Sequence, residues 1–161
     1  ATGQTGILVA GEGIAVDAVI ADFIAGAAEA LSPANDDDHW DIVEGQGSLF
    51  HPSYAGVSMG LMHGAQPHWL VMCHEMGRPH MRHLPHQPMI SLKDCVEANL
   101  RAARVTSESV QLAGFAINTS NYTEEDARAY CAEICAEFGL PATDPVRFGI
   151  DDIAALLQER G

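Results

Sequence analysis

The chain has 161 residues in which 8 Lys and Arg stand against 22 Asp and Glu, giving a formal charge of −14 at pH 7. A nucleic-acid binder needs clustered cations to displace counterions, but the only lysine is Lys93 and the arginines are scattered, so no nucleic acid is expected as a partner. A composition of 47% hydrophobic and 19% charged residues reads as a single packed α/β domain over residues 1–161; no apolar run nears the ~18 residues of a membrane span and no basic n-region opens the chain, so a cytoplasmic protein without membrane contact is expected.

The opening residues Ala1-Thr2-Gly3-Gln4-Thr5-Gly6 read as loop. From Ile14 to Leu31 apolar residues recur at helical spacing, and Ser32-Pro33 followed by Asn35-Asp36-Asp37-Asp38 ends the helix in an acidic loop. Trp40–Val43 is predicted as a buried strand running into the turn Glu44-Gly45-Gln46-Gly47-Ser48. Ser53–His63 reads as a helix, and Trp69–Cys73 as a second buried strand with His74 and Glu75 at its exit. Residues 76–89 carry three prolines and are expected to form a long functional loop.

Ser91 with Asp94 three residues on resembles a capping box for a helix running to about Thr106. Val110–Ile117 is a predicted strand broken by Asn118-Thr119-Ser120-Asn121, and Thr123-Glu124-Glu125-Asp126 opens a helix that runs to Phe138 before Gly139. A short segment at 141–144 and a helix over 150–158 complete the pattern. Short apolar strands alternating with helices argue for a mainly parallel sheet covered by helices on both faces, in which ligands bind at the carboxyl ends of the strands.

The polar residues gather at those predicted exits. Asp41 and Glu44 stand where a carboxylate can act as a base or hold Mg²⁺ through water, and Gln46 and Ser48 follow in the same turn. Six of the eight histidines fall between His63 and His86. Their spacing matches no standard zinc motif, and zinc is not expected. His51, His63, His74 and His80 lie by a strand exit or in the long loop, where an imidazole can move a proton near neutral pH. Arg78 and Arg82 suit a carboxylate or phosphate, unless an acidic neighbour pairs with them. Ser48 and Ser53 lack a G-x-S-x-G elbow, and no G-x-x-x-x-G-K-[ST] loop is present. The four cysteines form no CxxC pair and are expected to be reduced thiols.

Several runs together resemble a known family. Gly11-Glu12-Gly13, Val43 to Leu49 with His51-Pro52, Gly60-Leu61-Met62-His63-Gly64 with Gln66-Pro67, Cys73-His74-Glu75 with Arg78, Asn99 to Arg104, Asn118-Thr119-Ser120 and Thr143 to Gly149 look like the C-terminal domain of a bacterial family of unknown function. Some members of that family are described as D-glutamate N-acetyltransferases. The resemblance implies a three-layer P-loop NTPase-like fold related to dethiobiotin synthetase, with the Gly-Lys-Thr loop upstream of Ala1. The chain is thus expected to be the C-terminal part of a longer protein, inactive alone, with a sheet edge that a partner covers in a homo-oligomer.

The activity implied is acyl transfer from acetyl-CoA to the amine of a small acidic amino acid. Glu44, His51 and His74 are then the candidate catalytic groups. Arg78 and Arg82 would take the substrate carboxylates, Asn118 and Gln46 the carbonyl, and Ser48, His63 and His80 further substrate contacts. Two alternatives stay open. One is an ATP- and Mg²⁺-dependent ligase with Glu44 on the metal; the other is a non-catalytic ligand-binding or oligomerisation domain.

Overall fold

The computed structural model describes residues 3–36 and 38–160, the side chain of Arg160 excepted; Ala1, Thr2 and Asp37, which belong to the predicted opening loop and acidic loop, lie outside the described residues. The chain forms two compact units, one made of the residues up to His68 with Glu97–Val110, the other of Trp69–Val96 with the residues from Gln111 on.

The first unit is helical. Helix α1 covers Gln4–Ala10, ending at Gly11 in the left-handed region, where a loop was expected for its first residues. The expected helix over 14–31 is broken into two 3-10 turns, Val16–Ala18 and Ala21–Phe23, before α2 at Ile24–Leu31. Helix α3 spans Ala55–Ala65 and packs on α2. The close approach explains Gly60 and Gly64, four residues apart on one face. A Cβ on Gly60 would collide with Ile24, and one on Gly64 with the Ala25 carbonyl and the Ala28 methyl. Val16, Ile24, Ala28 and Leu61 are buried in this unit, together with Ala103 and Val110.

The strand predicted at Trp40–Val43 does not form. The segment is irregular, Trp40 is 49% exposed, Ile42 88% and Val43 47%. A strand needs a ladder partner for its amides and carbonyls, and no described strand pairs with this one. The turn from Glu44 to Ser48 is therefore not a strand exit.

The second unit carries the sheet. Strand β1 is Trp69–Glu75, and it lies at an edge rather than fully buried, with Val71 and Cys73 exposed. The expected loop over 76–89 holds an antiparallel hairpin of β2, His80–Met81, and β3, Leu84–Pro88, turning through His83 at φ 63°. Two backbone pairings give this stretch regular structure despite its prolines, which sit where a short hairpin at the surface tolerates a missing donor.

Helix α4, Leu92–Ala103, starts at the expected cap: the Asp94 N–H donates to Ser91 Oγ at 3.1 Å, and the Ser91 hydroxyl donates to Asp94 Oδ2 at 2.6 Å. Strand β4 is Gln111–Asn118, parallel to β1. Helix α5 covers Glu124–Phe138, capped by Thr123, whose hydroxyl oxygen accepts from the Asp126 N–H, and closed by left-handed Gly139. Strand β5, Ala142–Thr143, adds in parallel to β4; α6, Pro145–Phe148, and α7, Asp151–Arg160, follow.

The sheet order is β1-β4-β5, all parallel, which is the α/β class expected. Helices α6 and α7 pack against β4, and α5 against β5. Ala113, Phe115 and Ile117 of β4 are completely buried, with Ala127, Ile134 and Ile153 around them. The Phe115 and Phe138 rings meet at 4.6 Å and 46°.

Candidate functional site

Parallel pairing in register brings the carboxyl ends of β1 and β4 side by side: His74 is opposite Ile117 and Glu75 opposite Asn118. The Met76 N–H donates to the Asn118 carbonyl at 3.1 Å, extending the ladder one residue past the end of β1. His74, Glu75, Arg78 and Asn118, four residues singled out in the sequence, thus share one end of one sheet. Such an end is where open parallel sheets bind ligands.

His74 is half-buried, and its Nε2 lies 3.0 Å from the Tyr130 hydroxyl on α5. Burial lowers its pKa, the Arg78 charge lowers it further, and Glu75 opposes both. The ring is therefore neutral at pH 7, carrying one N–H and one lone pair. Arg78 is paired with Glu75, so its charge is shared with an acid. A partly exposed pair of this kind holds the side chains with only ~0–1 kcal/mol, which a carboxylate ligand can displace.

At the β4 exit the exposed Asn118 accepts through Oδ1 from the Ser120 N–H at 3.0 Å and carries a donor N–H₂. Next to it Thr119 is completely buried and donates twice to Asp144, from its N–H at 3.0 Å and its hydroxyl at 2.5 Å. Asp144, 4% exposed, also caps α6 by accepting from the Val146 and Arg147 N–H groups. Burial pushes the Asp144 carboxyl up, but the bonds from Thr119, Arg147 and Val146 outweigh it and hold the pKa below the ordinary carboxylate value. This carboxylate ties the end of β4 to the start of α6 and is a structural anion.

The hairpin carries the other two candidates of this unit. His80 Nδ1 lies 3.0 Å from the Met81 carbonyl, an acceptor only, so Nδ1–H donates. Arg82 sits in the turn and is exposed.

The remaining candidates belong to the helical unit. Asp41 and Glu44 line a cavity of ≈ 200 Å³ with Ala28, Leu61 and Ala65. His39 Nε2 holds Asp41 at 3.1 Å. The Gln46 carbonyl accepts from the Ser58 hydroxyl, which ties the turn to α3, and Ser48 Oγ accepts from the Phe50 N–H at 3.2 Å. His51 is 7% exposed, its Nδ1 accepts from the Ser53 N–H, and its ring lies 4.5 Å from Tyr54. His63 Nε2 donates to the Ala102 carbonyl at 3.0 Å, satisfying an acceptor in the last turn of α4. These bonds give Ser48, His51 and His63 structural work inside their unit.

Among the described residues no three His, Cys, Asp or Glu side chains converge as a metal site. No disulfide forms among the described residues, and no described helix is long and apolar enough to cross a membrane.

Tyr130 and Asp144 were not singled out in the sequence as site residues. Tyr130 sits mid-helix among acids, where nothing marks it until the fold sets α5 against the β1 exit. Asp144 carried a signal: Asp-Pro ahead of a helical turn is an N-cap with proline at N1.

The chain matches the model of a domain of unknown function, DUF1611_C, described as a P-loop domain, over residues 1–154. It belongs to the DUF1611 family. This DUF1611 chain is 52% identical over 157 residues to a D-glutamate N-acetyltransferase of a Pseudoalteromonas species, covering 98% of this chain and 47% of that protein. It is 51% identical over 160 residues to a D-glutamate N-acetyltransferase of Tritonibacter scottomollicae, covering 97% and 48%. The crystal structure of a DUF1611 family protein from Anabaena variabilis ATCC 29413 superimposes with a TM-score of 0.83 at 38% identity, over 98% of this chain and 47% of that one. The chain spans about half the length of the curated relatives it matches.

Proposed function

We propose that this DUF1611 chain is part of an enzyme that transfers the acetyl group of acetyl-CoA to the amine of D-glutamate. The observation that carries the reading is identity of 51% and 52%, across nearly the whole chain, to two proteins named for that activity. The chemistry at the paired strand exits supports it. The substrate presents two carboxylates, for which Arg78 and Arg82 supply guanidinium groups. A neutral imidazole, His74, with a lone pair and an N–H stands within the influence of the Arg78 charge, and the Asn118 amide offers donors to a carbonyl. The amine adds to the thioester carbonyl, a C–N bond forms, and the C–S bond breaks as the tetrahedral centre collapses. The thiolate leaves and the amine's proton passes to base or solvent.

The P-loop description of the matching family favours a second reading, an ATP- and Mg²⁺-dependent ligase. The residues of this chain do not by themselves fit that group. They include no G-x-x-x-x-G-K-[ST] sequence, and among the described residues Glu44 has no companions in ligand geometry.

Full-length protein incubated with acetyl-CoA and D-glutamate is expected to release free thiol in step with loss of the amine, with no requirement for ATP. Phosphate release from ATP and Mg²⁺ without thiol release would overturn the transferase reading in favour of the ligase. Unchanged rates in both His74→Ala and Arg78→Ala would show that this sheet end is not the site.

A further inference from the structure

His74 and Tyr130 are 56 positions apart in the chain, yet Nε2 and the phenol oxygen are at 3.0 Å and the two rings lie 28° from parallel. Either partner has a proton to offer, and elementary acid–base chemistry decides between them. The unprotonated nitrogen of imidazole is a much better acceptor than a phenol oxygen, and a phenol O–H is a more acidic donor than the N–H of neutral imidazole. The favoured bond therefore runs from the Tyr130 hydroxyl to Nε2. That leaves the single proton of the neutral ring on Nδ1, which has no hydrogen-bond partner among the described residues.

We infer that Tyr130 fixes His74 as its Nδ1–H tautomer, so that His74 serves the reaction as a hydrogen-bond donor to a substrate oxygen and not as the base. The inference rests on the acyl-transfer reading for its substrate. Tyr130 is a positioning residue, acting only through His74.

The surroundings agree with the direction of the bond. Tyr130 must stay protonated to donate, and burial together with the neighbouring Glu133 and Glu137, and with Cys131 and Tyr122, raises its pKa. On the other side of the pair, burial and Arg78 hold His74 neutral against the pull of Glu75. A hydroxyl already bonded to Nε2 must be displaced before that nitrogen takes a proton, which works the same way. A neutral imidazole N–H is a donor that stabilises growing negative charge on oxygen without surrendering its proton. Its acceptor is an oxygen of the substrates: the thioester carbonyl, whose charge grows as the amine adds, or a carboxylate of the amino acid.

The test reads the tautomer directly and needs no substrate. Long-range ¹H–¹⁵N spectra of ¹⁵N-histidine-labelled full-length protein at pH 7.5 are expected to show His74 protonated at Nδ1 and bare at Nε2. In Tyr130→Phe, which keeps the ring, the preference should fall about tenfold and the His74 pKa should rise. A wild-type spectrum with the proton on Nε2 overturns the inference whether or not the enzyme acetylates D-glutamate. A wild-type protein with the Nδ1–H form but no thiol release overturns the acyl-transfer reading and leaves the tautomer standing.

Kinetics supply the second readout. His74→Asn puts an amide N–H₂ near the Nδ1 position and is expected to stay within about tenfold of wild type, whereas His74→Ala should lose ~10²-fold or more. A loss mainly in kcat assigns the thioester carbonyl as acceptor, and one mainly in KM for D-glutamate assigns the carboxylate. If Asn and Ala are equally inactive, His74 works as a base and the inference fails.

Discussion

Strand β4 and the segment Trp40–Val43 are both short apolar runs, and they end in opposite environments. Phe115 and Ile117 of β4 are completely buried between β1, β5 and the helices α6 and α7, while Ile42 is 88% exposed in a segment without regular structure. Hydrophobicity is alike in the two; the difference is the partner. Burial of a strand requires that its backbone donors and acceptors find a ladder, and β4 has one on each side. The same contrast separates the polar groups. Asp144 is buried with four hydrogen bonds from Thr119, Val146 and Arg147, whereas Asp41 is half-exposed and paired with His39.

Substitutions that test this contrast differ widely in expected size. Phe115→Ala empties the centre of the sheet unit and is expected to cost ~3–5 kcal/mol, read as a fall in the urea midpoint with loss of amide-exchange protection along β1 and β4. Asp144→Ala leaves the Thr119, Val146 and Arg147 donors unpaired and should cost ~2–3 kcal/mol.

The same carboxylate gives a pH signature. Its folded pKa lies below the unfolded value, so its contribution is complete above the ordinary aspartate pKa and is lost as pH falls through the folded one. Wild type should therefore lose stability across that acidic window, and Asp144→Asn should lose less of it. Ile42→Ser should change the stability by under ~0.5 kcal/mol; a loss as large as that of Phe115→Ala would show that Ile42 is covered in the full-length protein and would dissolve the contrast.

What could be read from the sequence follows the same division. The caps of α4 and α5 were legible because Ser91 with Asp94, and Thr123 with Asp126, satisfy helix amides within three residues. Strands β1 and β4 were legible from continuous apolar runs, and with them the placing of His74, Glu75 and Asn118 at a common sheet end. Trp40–Val43 has the same local pattern, and no local rule reveals that a ladder partner is missing. The hairpin at 80–88 was hidden because its prolines signal loop while its pairing is a matter of two residues. Tyr130 was hidden for a different reason: a tyrosine on a helix becomes part of a site only when the packing of that helix brings it to a residue 56 positions away.

One contact near the strand exits limits how this end of the sheet can vary. The Tyr122 hydroxyl lies directly against the Cα of Gly77, which has φ of 70°, so that any side chain at 77 would strike it. The turn after β1 and the turn after β4 thus meet at this contact. A residue inserted into either one would push the phenol off Gly77 and carry Arg78, the next residue, away from His74. Homologous loops at this end should keep their two lengths together or change both at once.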